Sequence, residues 1–132
     1  MNRPIHFEIQ AVDPERAAQF YTGVFGWDIQ KWEGGMMEYW MIMTAPKEST
    51  EAGINGGLLR RPAETPPQQC GANAAVITML VENYDECAEK ITKAGGVVAM
   101  PKFALPGMAW QGYFLDTEGN TFGIHQADVN AK

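Results

Sequence analysis

The amino-acid sequence predicts an α+β chain made of two tandem βαβββ modules. Three observations carry this expectation: an amphipathic helix recurs after a shift of seventy positions, an extended run precedes each copy, and three more extended runs follow each copy. Strand-helix-strand-strand-strand, written twice, uses nearly all of the 132 residues.

The first module spans residues 4–60. Its opening strand, 5–11, alternates apolar and polar side chains. Asp13 then supplies an N-cap, and Pro14 occupies the first helical position, where its missing N–H costs nothing. Ala17, Phe20, Tyr21 and Val24 recur at helical spacing, and Gly26 ends the helix. Extended runs follow at 27–32, 38–44 and 54–59, separated by a Gly34-Gly35 turn and a loop over 46–53. Gly56-Gly57 inside the last run predicts a bulge.

Residues 61–72, rich in Pro and Gln, form a linker, and the second module spans 73–126. Its first strand, 74–81, is nearly all apolar. Asn83 caps the second helix with Glu86 three residues on, a near capping box. Tyr84, Cys87, Ala88 and Ile91 make its apolar face, and Gly95-Gly96 stops it. Strands at 97–103, 109–115 and 121–126 complete the module, the last two joined by the Asp116-Thr-Glu-Gly-Asn120 hairpin turn. Under the shift Asp13 meets Asn83, Ala18 meets Ala88, Thr22 meets Thr92 and Gly26 meets Gly96, so cap, face and stop all coincide.

Composition excludes several function classes. Sixteen acidic against ten basic residues leave a net charge of -6, and the basic residues are scattered apart from Arg60-Arg61. No stripe of positive charge exists to neutralise phosphates, so nucleic acid and anionic membranes are not expected partners. No run approaches the roughly 20 apolar residues that span a bilayer, and the first residues lead into a strand rather than a signal-peptide core, so a cytoplasmic location is expected. Cys70 and Cys87 form neither a Cys-x-x-Cys motif nor a disulfide framework; both are expected as free thiols, Cys87 facing the core. No phosphate-binding glycine loop, Ser/His/Asp set or paired-cysteine zinc motif can be placed.

Several segments resemble one known family. His6-Phe-Glu-Ile9, Asp13-Pro-Glu-Arg-Ala17, Phe20-Tyr21 and Val24-Phe-Gly-Trp27 resemble the first strand and helix of glyoxalase-like proteins, and Asp116-Thr-Glu-Gly-Asn120-Thr-Phe-Gly123 resembles their last hairpin. The resemblance covers about residues 4–126. It is to the glyoxalase, bleomycin-resistance and extradiol-dioxygenase superfamily, the vicinal oxygen chelate fold. It implies curled mixed sheets around a concave site, a small-molecule ligand and a homodimer. Activities on that fold include lyases, isomerases, dioxygenases and metal-free binding proteins, so fold alone does not choose among them.

Metal-using members of the family place one ligand on the first and last strand of each module. Here His6 occupies the first of those positions, whereas Val76 stands at the matching place in the second module and Gly123 where the last strand would offer glutamate. The fourth strand of the first module offers at best Asn55. One ligand in four does not hold a catalytic ion, so no cofactor and no metal ligand are expected, a divalent metal being the alternative. Strand alternation puts Glu8 on the face of His6 and His125 on the face of Gly123, which makes His6, Glu8 and His125 the candidate catalytic residues. Both histidines are expected to be hydrogen-bonded and partly buried. Tyr39, Met41, Asn55, Thr78 and Tyr113 are the candidate cavity residues, within a chain rich in methionine and aromatic side chains suited to an adaptable apolar site.

The leading functional expectation is a protein that binds or transforms a small organic molecule in a concave cavity without the four-ligand metal site. A metal-dependent lyase, isomerase or dioxygenase with a rearranged His6, Glu8 and His125 site is the alternative. A non-catalytic dimeric interaction or regulatory module is the second.

Overall fold

The structure, a computed structural model, describes residues 5–34, 38–65 and 75–132. Gly35, Met36, Met37, Cys70 and most of the expected linker lie outside the described residues. Strands β1 (Phe7–Ala11), β2 (Asp28–Lys31), β3 (Trp40–Met43) and β4 (Gly56–Arg60) and helix α1 (Pro14–Phe25) belong to a first compact unit, residues 1–65. Strands β5 (Ile77–Leu80), β6 (Val97–Leu105), β7 (Ala109–Leu115) and β8 (Thr121–Ala127) and helix α2 (Tyr84–Lys93) belong to a second, residues 66–132.

Each unit holds one four-stranded mixed sheet, in the order β1-β4-β3-β2 in the first and β5-β8-β7-β6 in the second. In both, the first strand runs parallel to the fourth and the remaining neighbours are antiparallel. The sheet twice takes the same order because the same string of elements is written twice.

The helix ends show why the local sequence folds as it does. Asp13 and Asn83 both sit in extended backbone, and each side chain accepts from the N–H three residues on, of Arg16 and Glu86 at 3.1 Å in both cases. Gly26 takes the left-handed conformation with φ 70° and returns its N–H to the Thr22 carbonyl. The second helix stops two residues earlier in the repeat, with its C-cap at Ala94, and Gly95 supplies the positive φ of 99°.

Alternation divides each sheet into a helix-covered face and an opposite face. In the first unit Ile9, Ala11, Trp40, Ile42 and Leu58 are buried, together with Ala17, Phe20 and Tyr21 of α1. Tyr21 stacks on Trp27 at 5.2 Å and 5°, and Phe7 and Phe25 flank the same indole at 5.8 and 5.5 Å. In the second unit Phe114 and Phe122 stack at 6.0 Å among Met79, Ile91, Ile124 and the Tyr84 ring. Cys87 is a buried free thiol on α2, and burial raises its pKa, so it behaves as a core side chain.

Two turn expectations meet different outcomes. The 116–120 segment forms the β7–β8 hairpin turn: Asp116 Oδ1 accepts from the N–H groups of Glu118 and Asn120 at 2.8 and 2.9 Å, and Gly119 takes φ 76°. Gly56-Gly57 does not bulge; its pairing with β1 and β3 is continuous, and the register shifts fall in β6 instead, between Val98 and Phe103. The glycines answer to close approach. A Cβ at Gly56 would press on the Phe7 carbonyl and ring, and one at Gly57 would fall on the Tyr39 hydroxyl.

That crowding yields an expected outcome. Gly57→Ala should destabilise the chain by about 1–3 kcal/mol in urea unfolding, the usual cost of overfilling a packed site. Gly53→Ala, where a Cβ meets nothing within 4 Å, should be near neutral. Combining Gly57→Ala with Tyr39→Ala should recover most of the loss, and additive losses would show that Tyr39 is not what excludes a side chain at 57.

Candidate functional site

A cavity of about 510 Å³ lies on the first unit, lined by His6, Glu8, Trp32, Tyr39, Met41, Ile42, Met43, Asn55 and Gly56. Alternation places most of these side chains. Glu8 pairs with Gly57, which pairs with Met41, which pairs with Gln30, so one row crosses the sheet away from α1. The Trp32 N–H donates to the Tyr39 carbonyl at 2.7 Å, continuing the β2–β3 ladder by one step and setting both aromatic residues at the cavity.

Three polar side chains form a chain within it. His6 Nε2 lies 2.8 Å from the Tyr39 hydroxyl, and that hydroxyl donates to Glu8 Oε1 over 3.4 Å. A phenol has one proton. With that proton directed at the carboxylate, the oxygen accepts from His6 Nε2–H, and Nδ1 is the nitrogen left to bind or take a proton. Burial first, then the charge of Glu8 and its hydrogen bond, raise the Tyr39 pKa above the ordinary phenol range, so the hydroxyl stays protonated. His6 is exposed rather than partly buried, because it stands at the open end of β1.

Asn55 lines the cavity wall, and its Oδ1 is committed to Thr44, accepting from the backbone N–H at 2.9 Å and the hydroxyl at 3.2 Å. The strand pairing also corrects its standing as the first module's ligand position. Thr78 pairs with Gly123 and Glu8 with Gly57, and Glu8 and Thr78 are seventy positions apart, so the counterpart of Gly123 is Gly57, not Asn55. The fourth strand repeats after sixty-six positions, the difference being absorbed downstream of the helix. The matching place on the fourth strand of both units is thus glycine.

The space above each glycine is occupied. The Tyr39 hydroxyl fills it at Gly57; at Gly123 a Cβ would meet Thr78 Oγ1 at 2.8 Å, Gln111 Nε2 at 3.0 Å and the Tyr113 ring at 3.2 Å. His125, half-buried in the second unit, donates from Nδ1 to Gln111 Oε1 at 2.8 Å, and Tyr113 stacks on Phe103 at 6.3 Å. His6, Glu8, Tyr39, Met41 and Asn55 are therefore brought to one cavity, whereas Thr78, Tyr113 and His125 belong to the second unit.

Two residues were missed from sequence. Trp32 is a cavity wall, legible from its share in the Tyr39 face once register is known. Gln111 orients His125 from a buried position, and only its isolation between apolar strand neighbours signalled it. Of the methionines, Met41 and Met43 line the cavity, Met79 is core, and Met100 and Met108 are exposed.

The sequence matches the family model described as Glyoxalase/Bleomycin resistance protein/Dioxygenase superfamily over residues 3–124. The chain belongs to this superfamily. A glyoxylase-like domain-containing protein of Didymella fabae is 32% identical over 120 residues, covering 89% of this chain and 88% of that one. The putative glyoxylase CFP32 of Mycobacterium bovis is 27% identical over 129 residues, covering 95% of this chain, which spans only 46% of that protein. Among solved structures, an E126Q mutant of the fosfomycin resistance protein FosX from Listeria monocytogenes, complexed with Mn(II) and 1S,2S-dihydroxypropylphosphonic acid, shares the fold. It superposes with a TM-score of 0.70 at 15% identity, covering 95% of this chain and 90% of that one.

This superfamily member does not offer a metal the same donors. Val76 and Gly123 stand where the resemblance implies ligands, Gly57 is the register counterpart of Gly123, and among the described residues no group of three or more His, Cys, Asp or Glu side chains is placed to hold an ion. The volume a ligand at 57 would use is filled by a phenol that stays neutral. The residues present do not fit the ion. Among the described residues no helix is long and apolar enough to cross a membrane.

Tyr39 gives the site a measurable signature. Its raised pKa means the folded chain keeps the phenol proton after the unfolded chain has lost it, so the stability involved is present below the ordinary phenol range and falls as pH climbs through it. In a wild-type minus Tyr39→Phe ultraviolet titration, Tyr39 should ionise above an ordinary phenol. Glu8→Gln should move it partway down, since Glu8 supplies the second and third causes of the shift. An unmoved titration in Glu8→Gln would place the cause in burial alone.

Proposed function

We propose that this protein binds a small organic molecule in the His6, Tyr39 and Glu8 cavity and moves a proton on it without a resident metal. One observation carries the reading: the chain's only polar relay of this kind among the described cavity residues, His6 Nε2 to Tyr39 to Glu8, opens into a space otherwise walled by Trp32, Met41, Met43 and Ile42. Apolar walls with a few convergent polar groups are the usual form of a small-molecule site.

The chemistry follows from what each side chain can do. His6 Nδ1 accepts a proton from a bound ligand, and the imidazolium so formed is stabilised by the Tyr39 oxygen at Nε2 and, through it, by Glu8. Return of the proton to another ligand carbon or oxygen, as the bonding electrons shift between them, completes an isomerisation. Tyr39 keeps its own proton throughout and positions the imidazole. A glyoxylase-like relative and a fosfomycin resistance protein of the same fold are in keeping with a small-molecule substrate. We place the working protein in the cytoplasm as a homodimer, with His125, held by Gln111, as a second candidate proton carrier in the other unit.

Protein purified without chelators should carry transition metal far below one ion per chain. A screen of small carbonyl, enol and aromatic compounds by protein NMR should yield binders that shift the Trp32 indole N–H. His6→Ala should abolish any turnover found while leaving binding within a few-fold. One stoichiometric ion that disappears in His6→Ala would overturn the metal-free reading.

A further inference from the structure

We infer that the ligand of this cavity carries a positive charge on an apolar body, as an organic ammonium does. The inference rests on the reading of the cavity as a small-molecule site and adds the charge of what enters it. The lining holds one carboxylate, Glu8, one imidazole, and no lysine or arginine. Among the described residues Glu8 makes no ion pair, and its sole hydrogen bond is the 3.4 Å one from Tyr39. A molecule that fills the cavity takes water away from that carboxylate. The cost is offset only if the ligand brings a positive charge or strong donor in exchange. An anion would instead be desolvated against a like charge, in a chain whose net charge is already -6.

The rest of the lining agrees. Trp32 and Tyr39 line the cavity, and aromatic rings carry on their faces the negative potential that attracts cations, while the thioethers of Met41 and Met43 suit an apolar body. The same chain twice grips its own ammonium groups with an aromatic ring and a carboxylate. Lys102 Nζ lies 5.1 Å from the Tyr84 ring centre, 4.7 Å from that of Trp110 and 2.9 Å from Asp85. Lys31 Nζ lies 5.3 Å from the Trp40 ring centre and 3.8 Å from Glu38. In the cavity a ring and a carboxylate stand with no such lysine, and an incoming cation completes the set.

Three probes of one shape separate the cases: benzylammonium, benzyl alcohol and benzoate, titrated at pH 8 and low ionic strength into wild-type protein and Glu8→Gln, with the Trp32 indole N–H followed by NMR. Benzylammonium should bind about tenfold more tightly than benzyl alcohol, and benzoate weakest. Glu8→Gln should bring the first two within about threefold, and added salt should weaken only the ammonium. Benzoate or the alcohol binding as well as the ammonium would overturn the charge assignment and leave the cavity reading standing. Failure of all three to bind at millimolar concentration would overturn the cavity reading, and the charge assignment with it.

Discussion

The parallel ladder between the first and fourth strands of each unit is the constraint on which the site depends. It sets Glu8 beside Gly57 and Thr78 beside Gly123, and every diagonal neighbour follows from that register. Because side chains alternate, a slip of β1 by one residue would send Ile9 to the cavity face and Glu8 to the core, at the cost of an uncompensated buried charge. The aromatic packing of Tyr21, Phe25 and Trp27 beneath the sheet opposes that slip.

Most of the fold was legible because its signals are local. An N-cap needs one side chain and one N–H three residues on, so Asp13 and Asn83 announced both helices, and strand alternation announced which residues share a face. Registers between strands depend on partners far apart in sequence, and there the reading was weakest. The first module offered at best Asn55 to a metal, whereas the register makes Gly57, two residues away, the counterpart of Gly123; and Gly56-Gly57 suggested a bulge where the real reason is a phenol and a ring packed against the strand. Trp32 escaped notice for the same cause: its place at the cavity depends on its pairing with Tyr39.

The candidate site was legible in part. Strand period alone put His6 and Glu8 on one face, but the hydrogen bonds joining them run through Tyr39, more than thirty residues away, and no periodicity links it to β1. Once Tyr39 is in place, one hydroxyl hydrogen faces two acceptors, and directing it at Glu8 goes with a proton on His6 Nε2.

The glycine at 57 has a consequence for how such a site can change. A phenol and a longer side chain at 57 compete for one volume, so a carboxylate added there displaces the Tyr39 ring from its place. A substitution at 57 therefore meets the least resistance after position 39 has become smaller: the order of change is set by one shared volume.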